Sequence, residues 1–111
     1  MYHCCKEMYI DAAHKLNLSY DSPCENLHGH SWRVRIYCKS ETLDENGMVY
    51  DFKKLKDATH GKLDHKFINE VVDFNPTAEN LAKWMADQVG ETCYKVEVWE
   101  SVNNLAWWER D

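Results

Sequence analysis

The segment Cys24-Glu25-Asn26-Leu27-His28-Gly29-His30 sets a thiol three residues ahead of a His-Gly-His pair. In an extended strand the side chains at i and i+2 share a face, with Cα atoms about 6.6 Å apart, so two imidazoles so placed can converge on one metal ion. A third histidine, His14, ends an apolar face of period two made by Met8, Ile10 and Ala12. Alone it reads as a hydrogen-bonded core residue; beside a paired strand carrying His28 and His30 it reads as their third ligand. Zinc held by three neutral histidines keeps a fourth position for water or substrate, whereas a structural site is normally closed by four protein ligands. The rival arrangement is therefore a closed, inert Cys-His3 site in which Cys24 is the fourth ligand. His3, His60 and His65 lie in less suitable contexts.

Two other positions carry chemistry. Asp64-His65 puts a carboxylate directly beside an imidazole, weak evidence by itself. Glu100 follows Tyr94, Val96 and Val98 on one face of a strand, opposite Lys95, Glu97 and Trp99. If the valines mark the core side, Glu100 points inwards, and a buried carboxylate is costly unless paired or strongly hydrogen-bonded. It can cap a pocket; the blander alternatives are a wet sheet edge or a structural ion pair.

The elements that must position these residues follow from periodicity and turn chemistry. Residues 2–16 read as a strand. Residues 17–26, with Asp21-Ser22-Pro23, read as a loop that brings Cys24 towards the metal pair. The next strand alternates cleanly, with His28, His30, Trp32, Val34, Ile36 and Cys38 on the core face; Cys38 there is a small buried hydrophobe. Asn46-Gly47 signals a hairpin before a short strand at 48–50. Asp51 can cap a helix whose apolar edge is Phe52 and Leu55, whose Lys53, Lys54 and Lys56 face solvent, and which Gly61 should end. Asn75-Pro76-Thr77-Ala78-Glu79 has helix-start chemistry, Leu81, Trp84, Met85 and Val89 form one buried face, and Gly90 is a stop. A strand over 93–101 and a short segment over 105–109, an edge strand or an intersubunit contact, complete the chain.

A chain of 111 residues, 44% hydrophobic and 29% charged, fits one compact domain over residues 1–111. Thirteen basic against nineteen acidic residues give a net charge of −6, which argues against general nucleic-acid or anionic-membrane partners. Five cysteines, an odd number with two adjacent, make a poor disulfide framework and fit a reducing cytoplasm. No stretch has the length and apolarity of a membrane span or a secretory leader.

Several motifs in order then carry a resemblance across nearly the whole chain: Asp11-Ala12-Ala13-His14-Lys15-Leu16, the Cys24 to His30 segment, Val49-Tyr50-Asp51-Phe52, Leu63-Asp64-His65, Asn75-Pro76-Thr77-Ala78-Glu79-Asn80-Leu81-Ala82 and Val96-Glu97-Val98-Trp99-Glu100. The sequence resembles the 6-pyruvoyltetrahydropterin synthase superfamily and, within it, the 6-carboxytetrahydropterin synthases of queuosine biosynthesis. Three residues between the cysteine and His-Gly-His resemble that group, whereas the pyruvoyl-forming synthases typically have five. The relatives that release hydroxymethyldihydropterin usually carry a glutamate in place of the cysteine; here Glu25 stands next to a retained Cys24.

The resemblance implies an α+β tunnelling fold, a four-stranded antiparallel sheet with two helices in the order ββααββ, closing into a barrel on oligomerisation, usually as a homohexamer of two stacked trimers with active sites between subunits. It implies conversion of 7,8-dihydroneopterin triphosphate to 6-carboxy-5,6,7,8-tetrahydropterin with release of acetaldehyde and triphosphate. By position, His14, His28 and His30 would hold Zn2+, Cys24 would accept a side-chain proton, Asp64-His65 would relay protons, and Glu100 would grip the pterin. Lys15 would hold triphosphate, and Thr77 would combine a helix cap with a pterin contact. A cysteine ordinarily titrates near pH 8.5, so a cysteine base needs a nearby cation or imidazole. The chain departs from the family at Val102-Asn103-Asn104, where a proline and a small polar residue are common. The remaining alternatives are a 6-pyruvoyltetrahydropterin synthase, a dihydroneopterin-cleaving relative, or a non-enzymatic zinc-stabilised module.

Overall fold

In the computed structural model, which describes residues 1–111, the two alternating segments become thirteen-residue strands, β1 (Tyr2–His14) and β2 (His28–Ser40). They pair antiparallel without a slip, from Tyr2 opposite Ser40 to His14 opposite His28. β2 also pairs with β3 (Cys93–Ser101), and β3 with β4 (Asn104–Glu109), giving one four-stranded antiparallel sheet in the order β1-β2-β3-β4.

One face of the sheet is apolar because the alternation of all three long strands is in phase. Met8, Ile10 and Ala12, then Trp32, Val34, Ile36 and Cys38, then Val96 and Val98 are all buried. The expected second helix, here α4 (Ala78–Val89), lies against β3 and β4. It buries Leu81, Ala82, Met85, Ala86 and Val89 on that face. The opposite face of the sheet is polar: Glu7 pairs with Arg33 and Arg35, whose guanidinium groups lie over the Trp99 ring, and Tyr37 donates to Glu97. Cys38 is fully buried, and its thiol is held well above the usual thiol range by a hydrogen bond with Cys93 and by burial, in keeping with a core residue.

Two expectations need correction. The first helix does not run to Gly61. It divides into α1 (Phe52–Ala58) and α2 (His60–Leu63), with a third short helix, α3 (Ile68–Val71), before α4. The break is at buried Thr59, whose hydroxyl donates to the Leu55 carbonyl at 2.9 Å and whose backbone leaves the helical region, at φ −121° and ψ −77°. With the turn in place, Leu55, Leu63 and Ile68 all reach the core.

The expected strand at 48–50 is absent. Asp44 accepts the Asn46 and Met48 N–H groups at 2.8 and 3.0 Å, so the Asn46-Gly47 turn closes on itself instead of opening a hairpin. Thr77 caps α4 as expected, accepting from the Asn80 N–H at 3.1 Å; Pro76 precedes the cap, and the Asn75 side chain is left for another use.

Asp51 does cap α1, accepting the Lys53 N–H at 2.8 Å. Asp51→Ala should therefore lower stability by about 1 kcal/mol, read from urea unfolding, and leave metal binding untouched.

Candidate metal centre and active site

The slip-free register of β1 and β2 builds the site. With His14 directly opposite His28 and Ala12 opposite His30, the three imidazoles gather at one end of the apolar face. The His14 and His28 ring centroids are 4.5 Å apart, those of His28 and His30 4.8 Å, and those of His14 and His30 5.2 Å. One nitrogen from each lies within 4.8 Å of the other two. Trp32 forms the floor, edge-on to His14 and His30 at 4.8 and 5.1 Å, and it is tied to β1 by an Nε1–H bond to the Ala12 carbonyl.

The donor set fits a divalent metal on grounds internal to the chain. His14 Nδ1 is bonded to the Pro76 carbonyl at 2.8 Å and His28 Nδ1 to the Asn26 carbonyl at 2.7 Å. A carbonyl can only accept, so each Nδ1 carries the proton and each Nε2 presents a lone pair, the arrangement typical of metal-binding histidines. His14 Nε2 and His30 Nε2 are buried without a hydrogen-bond partner, an arrangement that is unfavourable unless something binds there. Burial also holds both imidazoles below their ordinary pKa, which keeps them neutral as ligands must be.

Glu100 points inwards as its strand position predicts. Its carboxylate faces the cluster, with Oε2 3.9 Å from His14 Nε2 and Oε1 3.7 Å from His30 Nε2, and its side chain is 27% exposed. It also lines a cavity of about 360 Å³ together with Thr77, Leu16, Asn103 and Asn104. Thr77 is thus both helix cap and cavity wall. The sequence departure at Asn103 and Asn104 falls on the wall of the cavity that Glu100 enters.

Cys24 sits in a 3₁₀ turn (Pro23–Glu25) started by Ser22, whose hydroxyl accepts the Cys24 N–H. The turn is attached to β1 through the Leu16 N–H, which donates to the Cys24 carbonyl at 2.8 Å. The sulfur is not part of the three-histidine cluster, which leaves that cluster an open rather than a four-ligand set. Lys15 lines a separate recess of about 330 Å³ with Asn17, Glu25 and Asn69.

Asp64 and His65 lie on the outer edge of β1. Asp64 Oδ1 accepts the Asp11 N–H at 3.0 Å, and His65 donates its backbone N–H to the Asp11 carbonyl at 2.7 Å. His65 is in the left-handed region at φ 58°, a conformation that costs a non-glycine residue about 1 kcal/mol or more. Its ring is 80% exposed, with Nε2 3.5 Å from Asp64 Oδ2, while His60 Nε2 approaches the same oxygen at 3.6 Å. Within one chain the pair is not brought into the histidine cluster, although His65 and His30 border one shallow groove of about 560 Å³. His60, which by sequence alone lies in a less suitable context, thus joins the pair, and its position four residues before Asp64 is the signal that points to it.

The family model described as 6-pyruvoyl tetrahydropterin synthase matches residues 3–111. The chain belongs to the 6-pyruvoyl tetrahydropterin synthase family. It is 35% identical over 91 residues to a Bacillus subtilis protein named 6-carboxy-5,6,7,8-tetrahydropterin synthase, a match covering 76% of this chain and 62% of that protein's length. It is 37% identical over 83 residues to a Pyrococcus furiosus protein named dihydroneopterin monophosphate aldolase, covering 72% of this chain and 68% of the relative. The structure of 6-pyruvoyl tetrahydropterin synthase from Caenorhabditis elegans superposes with a TM-score of 0.77 at 25% identity, over 99% of this chain and 96% of that one. The α+β fold with its four-stranded antiparallel sheet is therefore that of the family, and no helix is long and apolar enough to cross a membrane.

Cobalt(II) titration followed by visible absorption should give one site per chain. Alanine at His14, His28 or His30 should each abolish it, whereas Cys24→Ala should leave the stoichiometry at one and, with no sulfur bound, the spectrum unchanged.

Proposed function

We propose that this chain is a zinc-dependent lyase converting 7,8-dihydroneopterin triphosphate to 6-carboxy-5,6,7,8-tetrahydropterin, with release of acetaldehyde and triphosphate. The observation that carries the reading is the convergence of the His14, His28 and His30 imidazoles at one end of the apolar face, with the Cys24 sulfur outside that cluster. Bound at His14, His28 and His30, zinc would act as a Lewis acid towards the oxygens of the substrate side chain.

The chain's own residues account for the remaining work. Glu100 binds the pterin: the guanidine-like edge of the ring presents two adjacent N–H donors, which match two carboxylate oxygens in a bidentate contact. Thr77, on the same cavity wall, adds a polar contact. With the ring so held, the side chain of the substrate extends towards the histidines that Glu100 faces. Cys24 accepts the proton lost from a side-chain carbon. His65 takes part as the proton relay, and Asp64 Oδ2, 3.5 Å from its Nε2, orients the ring. Lys15 holds the triphosphate at the recess it lines.

The exposure of His65, and strand edges on β1 and β4 without a strand partner, support an assembly in which sheets from neighbouring copies join into a barrel. A homohexamer with active sites between subunits would let His65 of one copy serve the centre of another. We place this one-domain enzyme, residues 1–111, in the cytoplasm and in the queuosine pathway.

A second reading, cleavage of a dihydroneopterin phosphate to hydroxymethyldihydropterin, is favoured by the position of Glu25. Its carboxylate shares the Lys15 recess next to Cys24, and the aldolase-named relative is 37% identical.

Mass spectrometry of the product from dihydroneopterin triphosphate, with purified zinc-loaded protein, separates the two: the 6-carboxy product is expected, and hydroxymethyldihydropterin would establish the second reading. Cys24→Ala should keep zinc and lose turnover by about a hundredfold or more, the scale of a lost general base. Glu100→Gln should keep zinc and raise KM; loss of zinc would instead make Glu100 a metal ligand.

A further inference from the structure

The backbone beyond His14 is gripped from the helical side by two asparagine side chains. Asn69 Oδ1 accepts the Lys15 N–H at 2.9 Å, and Asn69 Nδ2 donates to the Lys15 carbonyl at 2.9 Å. Asn75 repeats this two residues on, with Oδ1 accepting the Asn17 N–H at 2.8 Å and Nδ2 donating to the Asn17 carbonyl at 3.0 Å. Each carboxamide thus takes both polar groups of one residue, as a neighbouring strand would. Between the two gripped residues, Leu16 turns its N–H the other way, to the Cys24 carbonyl at 2.8 Å.

The clamps are themselves fixed. The Asn75 carbonyl accepts from Asn80 Nδ2 at 2.9 Å and from the Thr77 N–H at 2.8 Å, which binds it to the start of α4. The next residue, Pro76, supplies the carbonyl that orients His14. Asn69 lies in α3, whose first residue, Ile68, is buried in the core.

We infer that Asn69 and Asn75 are positioning residues for Cys24: by holding residues 15–17 extended, they aim the Leu16 N–H at the Cys24 carbonyl and so set the thiol turn against the three histidines. The inference rests on the reading of Cys24 as the base. All four carboxamide bonds are at exposed sites, so water can replace them when a side chain is removed. The loss is then one of order in residues 15–17 and not of the fold. The backbones of His14, His28 and His30 are fixed by the β1–β2 ladder, and Pro76, whose carbonyl orients the His14 ring, stays anchored because the Asn75 backbone carbonyl remains bonded to Asn80 Nδ2 and the Thr77 N–H when the Asn75 side chain is replaced.

The experiment uses the full chain loaded with zinc, with Asn69→Leu, Asn75→Leu and the matching aspartate variants. Aspartate keeps the oxygen that accepts the backbone N–H and loses the donor. Zinc content, thermal midpoint, kcat, KM and the rate of iodoacetamide alkylation at Cys24, followed on its peptide by mass spectrometry, are measured for each. The leucine variants should keep one zinc per chain. They should shift the Cys24 alkylation rate by roughly threefold or more, because thiol reactivity follows the local surroundings. They should lower kcat roughly tenfold with little change in KM, because a reacting group displaced by about 1 Å can cost up to a hundredfold. The aspartate variants should fall between leucine and wild type.

Wild-type alkylation and kcat in both zinc-loaded leucine variants would overturn the inference. So would a loss of zinc and thermal midpoint in step with kcat, which would mark a purely structural role. If the wild type binds zinc but forms neither pterin product, the functional reading fails, and the alkylation rates alone decide whether the two asparagines position the thiol turn.

Discussion

The β1–β2 ladder is the constraint on which the rest of the molecule depends. Side chains on a strand alternate, so a slip of one residue between these strands would carry Trp32, Val34 and Ile36 to the polar face and His28 and His30 with them. Core and three-histidine cluster are thus written in one register. The burial of three large residues on β2 holds two imidazoles in line, and the pairing of His14 with His28 supplies the third. This economy explains why the centre sits at the end of a hydrophobic face: the same alternation that ends in Trp32 continues into His30 and His28. The flat floor of Trp32 then excludes water from the inner side of the rings.

A second seam runs along the outer edge of β1. Asp11 and Ala13 turn backbone groups away from β2, and these meet Asp64, His65 and Lys66; Lys15 and Asn17 continue the series and meet Asn69 and Asn75. Four successive odd-numbered residues are therefore served by a single stretch between α2 and α4. The stretch covers the part of the strand edge nearest the histidines and fixes the left-handed turn at His65 as it does so. Two groups with proposed proton-transfer roles, the Asp64-His65 pair and Cys24, are both referred to β1, the former from its outer edge and the latter through Leu16 on the side where β2 lies.

The parts legible in the sequence are those governed by short-range rules. Period-two alternation gave the strands, the Leu81, Met85 and Val89 spacing gave α4, and His28-Gly29-His30 gave two members of the three-histidine cluster, because in each case one residue predicts its neighbour's direction without reference to the rest of the chain. Glu100 was legible by the same rule, as the continuation of Val96 and Val98. What was not legible depended on competition between partners. Asp44 takes the N–H groups that a hairpin would have used, and Thr59 breaks a helix by bonding back to Leu55. In each case a short polar side chain had several backbone groups within reach, and only the tertiary packing decided which one it took. The two asparagine clamps belong to this class. An asparagine in a loop is ordinarily read as a turn residue, and nothing local announces that its partner lies 54 or 58 positions away.

The electrostatics of the centre limit what can bind there. His14 is fully buried and His30 largely so, both are held neutral by desolvation, and their Nε2 atoms have no donor facing them. A hydrogen-bond donor could satisfy one such lone pair, but three that converge call for a centre of positive charge small enough to be shared. The nearest acidic group is Glu100, at 3.7 and 3.9 Å, beyond hydrogen-bond reach of either nitrogen. A carboxylate at that distance stabilises a bound cation without having to ligate it, and its face towards the 360 Å³ cavity stays available for a ligand with paired N–H donors. Glu100 thus stands between the histidine cluster and the cavity: one side of its carboxylate faces the imidazoles and the other the cavity, where two oxygens can accept a pair of N–H bonds. A single side chain therefore borders both the cluster and the cavity, so a ligand in the cavity that is held at Glu100 lies next to whatever the three imidazoles bind.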